Sequence, residues 1–200
     1  MLLFFSLIPA AFGFTPHDLR SGDVLLQSVQ CFVCSMIEFE EGAPYSHAGL
    51  VVANEGTDAT VLESWVKIEM IPVQKFLSKR KSNTTTLVMR PVNQQGEPIS
   101  ISHNGLLHIF QKDFFGKHYD EAFLWDNTDE LGEKYYCSEF VAKLLNRFLP
   151  IPIDPKPMHF NQYRSYWVQY FHGNPPDQKP GLAPSDFAKS SLFKKMGELN

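Results

Sequence analysis

Short runs of β-branched and small apolar residues, separated by polar turns, make up the first half of the chain. Such runs predict buried or half-buried strands rather than helices. Strands are predicted over residues 23–29, 45–53, 60–66 and 84–92, with an extended continuation over 67–73. An apolar segment of helical character at 31–39 ends at Gly42 and Pro44, and a short helix is predicted within 71–79.

Helical periodicity is clearer in the second half of the chain. One helix is predicted over residues 99–115, where apolar side chains share one side. The strongest helix begins at Cys137 and is ended by Pro150 and Pro152. Its apolar positions follow the i, i+3, i+4, i+7 spacing of an amphipathic helix: Cys137, Phe140, Val141, Leu144, Leu145 and Phe148.

The last quarter of the chain differs in composition from the rest. More than half of the 14 prolines lie at or beyond residue 150, together with the aromatic stretch FNQYRSYWVQYF. Because so aromatic a segment would not stay unfolded, residues 151–200 are predicted to be a covering tail and not a linker. A length of 200 residues indicates a single domain over 14–200. Several strands followed by a late helix predict an α+β fold with a mostly antiparallel sheet.

The N-terminus is apolar from Leu2 to Phe12, a stretch too short to span a bilayer. Ala11 and Gly13 are small residues spaced like a signal-peptidase site with cleavage after Gly13, although a positive n-region is missing. We therefore predict a signal peptide over 1–13 and an exported protein, either secreted, periplasmic or lumenal. The alternative is a buried N-terminal strand or helix.

Charge and composition narrow the classes of function. The net charge is −4, with 20% charged and 44% hydrophobic residues, an ordinary globular balance that does not indicate a nucleic-acid surface. The basic cluster Lys79-Arg80-Lys81 is interpreted as a solvated loop, with a targeting or phosphate-binding role as the alternative. Neither a metal nor an organic cofactor is indicated by the sequence.

The three cysteines fall into a pair and a single residue. Cys31 and Cys34 form a C-x-x-C motif, and a zinc site would need a second ligand pair that is not found at suitable spacing. The motif follows a predicted strand, so a thioredoxin-like redox pair stays open. In an exported protein the two cysteines are candidates for a local disulfide, which leaves Cys137 as the odd thiol.

Cys137 meets one requirement of a nucleophile, because it lies at the N-terminus of a predicted helix. A helix N-terminus stabilises a thiolate, and its free N–H groups can bind an oxyanion. Among the seven histidines, His47 stands at the head of a buried strand, where an imidazole is held rigidly. Glu63 follows 16 residues later, at about the separation of two hairpin-paired strands, and could orient the imidazole. The alternatives are a core histidine bonded to a carbonyl and a glutamate facing solvent.

Five stretches occur in a characteristic order: GDVLL from Gly22, SHAGLVV from Ser46, LES from Leu62, GKHYD from Gly116 and YCSEFV from Tyr136. The series covers about residues 19–150 and resembles the YiiX-like branch of the NlpC superfamily, the papain-like cysteine hydrolases with a circularly permuted topology. The resemblance implies a mostly antiparallel sheet or small barrel packed against a helix that carries the nucleophile.

The same resemblance implies roles for single residues. Cys137 would be the nucleophile, His47 the general base and Glu63 the residue that orients it, with Tyr136 and Ser138 as candidates for the oxyanion pocket. Two further positions match the family: Asp23, interpreted as turn-forming, and Glu139, in the first turn of the helix. Neither the C-x-x-C motif nor the tail after Pro150 belongs to the pattern.

The implied chemistry is acyl transfer to water through a thioester. The substrate is expected to be a small molecule, peptide or lipid with an amide or acyl bond, met in solution, at a membrane surface or in the cell envelope. Aromatic residues that could line an apolar pocket, or else only pack the core, are Tyr119, Phe123, Trp125, Tyr163 and Trp167. The alternatives in function are a catalytically silent lipid- or peptide-binding module and a thiol-disulfide oxidoreductase that uses Cys31 and Cys34.

Overall fold

The computed structural model describes residues 14–53 and 58–200, so the predicted signal peptide over 1–13 lies outside the described residues. In chain order the strands are β1 (Val24–Gln27), β2 (His47–Val52), β3 (Thr60–Ser64), β4 (Ile68–Pro72), β5 (Thr86–Pro91), β6 (Thr128–Asp129), β7 (Gly132–Glu133), β8 (Lys156–Pro157), β9 (Pro180–Gly181) and β10 (Phe193–Leu199). The α-helices are α1 (Phe32–Glu41), α2 (Val73–Leu77), α3 (His103–Ile109), α4 (Cys137–Leu145), α5 (Arg164–Tyr170) and α6 (Pro184–Lys189).

Six of the strands form one sheet in the order β10-β5-β1-β2-β3-β4, and every neighbouring pair is antiparallel. The expectation of an α+β fold with an antiparallel sheet is confirmed. The alternative of a small barrel is wrong, because the sheet is open, with β10 and β4 as its edge strands.

Both faces of this sheet are covered. Side chains alternate across a strand, and in β1 Val24 and Leu26 belong to one apolar cluster while Leu25 belongs to another. Helix α4 packs on β2 and β3 from the first side, where Phe140 and Leu144 are fully buried. Burial of each such side chain contributes about 1.5–3 kcal/mol. The strongest sequence pattern therefore anchors the helix that begins at Cys137.

Two helix predictions need correction at their ends. The helix predicted over 99–115 begins only at His103, because the Ser102 side chain accepts a hydrogen bond from the backbone N–H of Gly105 and caps it. It is followed by a π-helical turn over Phe110–Phe114. Helix α4 ends at Leu145, so Phe148 lies beyond it and packs on the core from the following turn.

The tail over 151–200 does more than cover the domain. Helices α5 and α6 and the β8–β9 pair contribute Trp167, Phe187 and the neighbouring Leu182 to buried apolar clusters. The chain then returns as β10, which pairs with β5 along its whole length and becomes an edge strand of the main sheet. The last segment is therefore part of the scaffold itself.

The C-x-x-C motif lies at the start of α1. A disulfide joins Cys31 and Cys34, whose Cα atoms are 5.1 Å apart. Cys31 is the N-cap residue, and its sulfur accepts the backbone N–H of Cys34. Among the helices of the described residues, none combines the length and the apolar character that a membrane span needs.

Candidate active site

Cys137 lies at the first position of α4, directly after the extended residue Tyr136, and is nearly buried. Burial raises the pKa of its thiol, because a thiolate is poorly solvated there. Together, four effects that lower the pKa outweigh burial. They are a hydrogen bond to His47, the charge of its imidazolium, and the backbone N–H groups of Ala48 and Ser138. The net result is a thiol pKa below its ordinary value, which favours the thiolate.

His47 is the first residue of β2 and is buried. Its Nε2 is 2.8 Å from Oε2 of Glu63, so the hydrogen bond to Cys137 falls to Nδ1. Burial by itself lowers the pKa of the imidazole. The thiolate and the carboxylate outweigh it and raise the pKa of His47 to about 9. Both shifts favour a thiolate–imidazolium pair.

Two aromatic rings hold the imidazole from its sides. The ring of Phe76 on α2 stacks on it with centroids 5.3 Å apart, and Trp65 meets it edge-on at 5.0 Å. Gly49 makes room for this arrangement, since a Cβ atom there would lie 2.6 Å from Cε2 of Phe76 and 2.5 Å from Cγ1 of Val61. The ring is thus fixed by packing as well as by hydrogen bonds.

Glu63 is completely buried on β3. The antiparallel register pairs Leu50 with Leu62, and its extension by one residue sets Glu63 opposite Gly49, diagonal to His47. Burial raises the pKa of the carboxyl, but the hydrogen bonds and charges of His47 and Lys79 lower it further than burial raises it. Glu63 is consequently ionised and points one oxygen at the imidazole.

A small apolar crevice of about 50 Å³ opens at Cys137. Of the aromatic residues predicted for a pocket, Tyr119, Phe123 and Trp167 line it. The other two do not: the Trp125 ring lies under the ammonium group of Lys143, and Tyr163 is 56% exposed. The sequence alone could not distinguish the aromatic residues that line the crevice from those that do not, because this depends on how the C-terminal segment packs against the rest of the domain.

Tyr136 and Ser138 also line the crevice, on either side of Cys137. Both bind the same residue of the tail: the Tyr136 hydroxyl accepts the backbone N–H of Leu182 at 3.0 Å, and the Ser138 hydroxyl donates to its carbonyl at 2.6 Å. The side chain of Ser138 is therefore engaged in structure. It is the backbone N–H of Ser138 that faces the sulfur.

Comparison with known proteins identifies the family of the chain. The family model described as a permuted papain-like amidase enzyme, YaeF/YiiX, C92 family, matches residues 18–196. The chain belongs to this family of permuted papain-like amidases. The crystal structure of metalloprotein YiiX from Escherichia coli O157:H7 has a TM-score of 0.74 and 20% identity, covering 90% of this chain and 98% of that one. A search of curated proteins finds no match.

Membership of the amidase family supports a papain-like cysteine hydrolase in general terms. The Cys, His and Glu residues that the sequence singled out are brought into one contact chain. Sequence reasoning missed Phe76, Trp65 and Lys79, which surround the pair. Lys79 in particular was interpreted as part of a solvated loop, and no local pattern distinguishes it from the basic residues that follow.

The similar YiiX structure is that of a metalloprotein, so the candidate metal ligands of this chain are relevant. Two groups of described residues bring ligand-type atoms within 4.8 Å of one another: His118, Asp129 and Glu130; and Asp126, Glu133 and Glu139. The second arrangement does not fit a resident ion, because a lysine already occupies it. The ammonium group of Lys143 binds all three carboxylates of the second group, and His118 Nδ1 is hydrogen-bonded to Asp129 Oδ2 in the first.

Proposed function

We propose that this protein is a cysteine hydrolase that cleaves an amide bond, or the related ester bond, next to an apolar group. Cys137 is the nucleophile, His47 the general acid and base, and Glu63 the residue that orients His47. The observation that supports the proposal is the continuous chain from a thiol at a helix N-terminus, through a buried imidazole, to a buried carboxylate. A disordered or solvent-facing arrangement of these three groups would have argued against it.

The reaction proceeds in two halves. The thiolate of Cys137 attacks the carbonyl carbon, and the developing oxyanion lies near the free N–H groups of the first turn of α4. The bond to the leaving amine breaks as Nδ1 of His47 gives it a proton, which leaves a thioester and a neutral imidazole. Water then attacks the thioester while His47 takes its proton, and the acid and the Cys137 thiolate are released.

The crevice supports an apolar group on the substrate. Its walls near Cys137 are formed mainly by apolar side chains, among them Ile37, Phe123, Met158, Phe160 and Leu182. Glu40 also lies on the wall, but its carboxylate already accepts the backbone N–H groups of Asn161 and Gln162. A fatty-acyl chain or an aromatic or aliphatic amino-acid side chain suits such a surface better than a charged group.

Two other functions remain as outcomes of the test. A silent binding module would use the same crevice without turnover. An oxidoreductase would use the Cys31–Cys34 disulfide, in which Cys34 is buried and Cys31 is half-buried at the start of α1. The location in an exported compartment, and any association with a membrane surface or cell envelope, likewise stays a prediction.

Measurements of alkylation and turnover distinguish the hydrolase from the binding module and the oxidoreductase. Iodoacetamide at about pH 6 should label Cys137 readily, and in preference to Cys31 and Cys34 after mild reduction of their disulfide, because only a low-pKa thiol is ionised there. Labelling should vanish in Cys137→Ser and persist in the double variant Cys31→Ser/Cys34→Ser. Wild type and Cys137→Ser are then compared on amides, peptides and esters with acyl groups of increasing length. Turnover that survives in Cys137→Ser contradicts the proposal, and selective labelling without turnover on any series favours the binding module.

A further inference from the structure

Glu63 presents its two oxygens to two different cations. Oε2 lies 2.8 Å from His47, and Oε1 accepts a hydrogen bond from the ammonium group of Lys79. The carboxylate is fully buried, whereas the Lys79 side chain is 18% exposed. A buried carboxylate with one oxygen unpaired would be costly. Lys79 therefore completes the set of partners that the carboxylate needs.

Lys79 is held in place by several independent contacts. It lies in the turn that follows α2, where its backbone N–H donates to the carbonyl of Phe76 at 3.2 Å. Its ammonium group lies over the ring of Trp65, 5.1 Å from the centroid. Phe76 and Trp65 are the same two residues that contact the imidazole of His47. One short segment thus positions both the imidazole and the cation behind its carboxylate.

We propose that Lys79 is a positioning residue of the hydrolase: it fixes Oε1 of Glu63, aims Oε2 at His47, and limits the proton affinity of the imidazole. This inference rests on the proposed function. Two positive groups that share one carboxylate repel each other through a poorly solvated region. The imidazolium is consequently easier to deprotonate with Lys79 present than it would be beside Glu63 alone.

The proton affinity of the imidazole matters in the first half of the reaction, in which His47 must give its proton to the leaving group. An imidazolium held too tightly by a thiolate and a carboxylate is a poor acid. The groups that face this proton are Cys137 on α4, Glu63 on β3 and Lys79 after α2. Tyr119 also lies near the thiolate, but burial, followed by the Cys137 charge, raises its pKa well above the ordinary value and keeps it neutral.

The test compares Lys79→Met, which keeps an apolar stem over Trp65, with Lys79→Arg, which keeps the charge. The pKa of His47 is measured by NMR titration in a Cys137→Ala background, with its resonances assigned from His47→Gln. Lys79→Met should raise that pKa by about one unit, since a unit charge a few ångströms away is worth this much or more. Lys79→Arg should leave it within about 0.2 unit. Lys75→Met, an exposed position on α2, serves as the matched control.

Turnover provides the second readout. With Cys137 intact, Lys79→Met should lower kcat about tenfold and move the alkaline limb of its pH profile upward, while Lys79→Arg restores both. If Lys79→Met does not fold, Lys79→Gln keeps a donor for Glu63 without the charge and should give the same shift. An unchanged or lowered His47 pKa in the neutral variants overturns the inference. That result is distinct from failure of the proposed function, in which Cys137→Ser would retain activity.

Discussion

Substitution of Glu63 by Gln tests the orienting carboxylate with the smallest change in shape. The amide keeps an oxygen and a donor but removes the negative charge between His47 and Lys79. His47 then loses one of the two anions that stabilise its imidazolium, and Cys137 loses part of the cation that stabilises its thiolate. We expect a folded protein with a weaker thiolate–imidazolium pair.

The size of the expected effect of Glu63→Gln follows from the pKa shift of the His47 imidazole. Its pKa rises from 6.5 to about 9, a gain of roughly 3 kcal/mol at about 1.4 kcal/mol per pH unit. The thiolate and the carboxylate supply this net gain after offsetting the opposing effect of burial, so removal of the carboxylate charge costs at least roughly 1–2 kcal/mol. The pKa of His47 should therefore fall by about one unit, and the ion pair should become about tenfold less populated relative to the neutral pair.

The rate of Cys137 alkylation by iodoacetamide at about pH 6 measures this population without a known substrate. It should fall in Glu63→Gln, by up to about tenfold, because a tenfold smaller ratio lowers the thiolate population by the full factor only where the neutral pair predominates. The matched control is Glu69→Gln, because Glu69 is the half-buried cross-strand partner of Glu63 on β4. A folded Glu63→Gln variant with wild-type alkylation at every pH would refute the orienting role. Loss of the folded state itself would mean that Glu63 is chiefly structural.

Two further substitutions test the scaffold around the site. Gly49→Ala should destabilise the protein by about 1–3 kcal/mol in urea unfolding, because its Cβ would overlap Val61 and Phe76, and should also slow Cys137 alkylation; an unchanged unfolding midpoint contradicts this. Arg90→Met should cost about 3–5 kcal/mol, because it leaves the fully buried carboxylate of Asp23 without its bidentate partner. A loss below about 1 kcal/mol would show that Asp23 matters only for its turn.

Several strands and helix α4 could be predicted because each rests on a local pattern. The spacing of Phe140 and Leu144 predicts α4, and the run from His47 to Val52 predicts a buried strand. Asp23 shows where such reasoning stops. It does accept the backbone N–H of Arg20 within its turn, as expected, but its main partner is Arg90, which is 67 residues away and cannot be inferred from spacing.

Contacts made by the C-terminal segment over 151–200 account for most of the features that could not be predicted from the sequence. Nothing in the sequence near Leu199 indicates that the segment from Phe193 becomes an edge strand beside β5, because its burial pattern does not alternate and it pairs with residues about 100 positions earlier. Lys79 is a second case. A lysine in a basic triplet usually faces solvent, and only the turn after α2 brings it to Glu63.

The two hydrogen bonds that Leu182 makes with Tyr136 and Ser138 have a consequence for biosynthesis. All three residues of the proposed triad have left the ribosome once residue 137 has emerged, yet one wall of the crevice and the contacts that brace the start of α4 arrive some 45 residues later. The strand β10 comes last of all. Such distant pairings fold slowly. A nascent chain that lacks this segment would therefore hold its thiol in an unfinished pocket, and competence for hydrolysis would be reached only after the segment around Leu182 has folded.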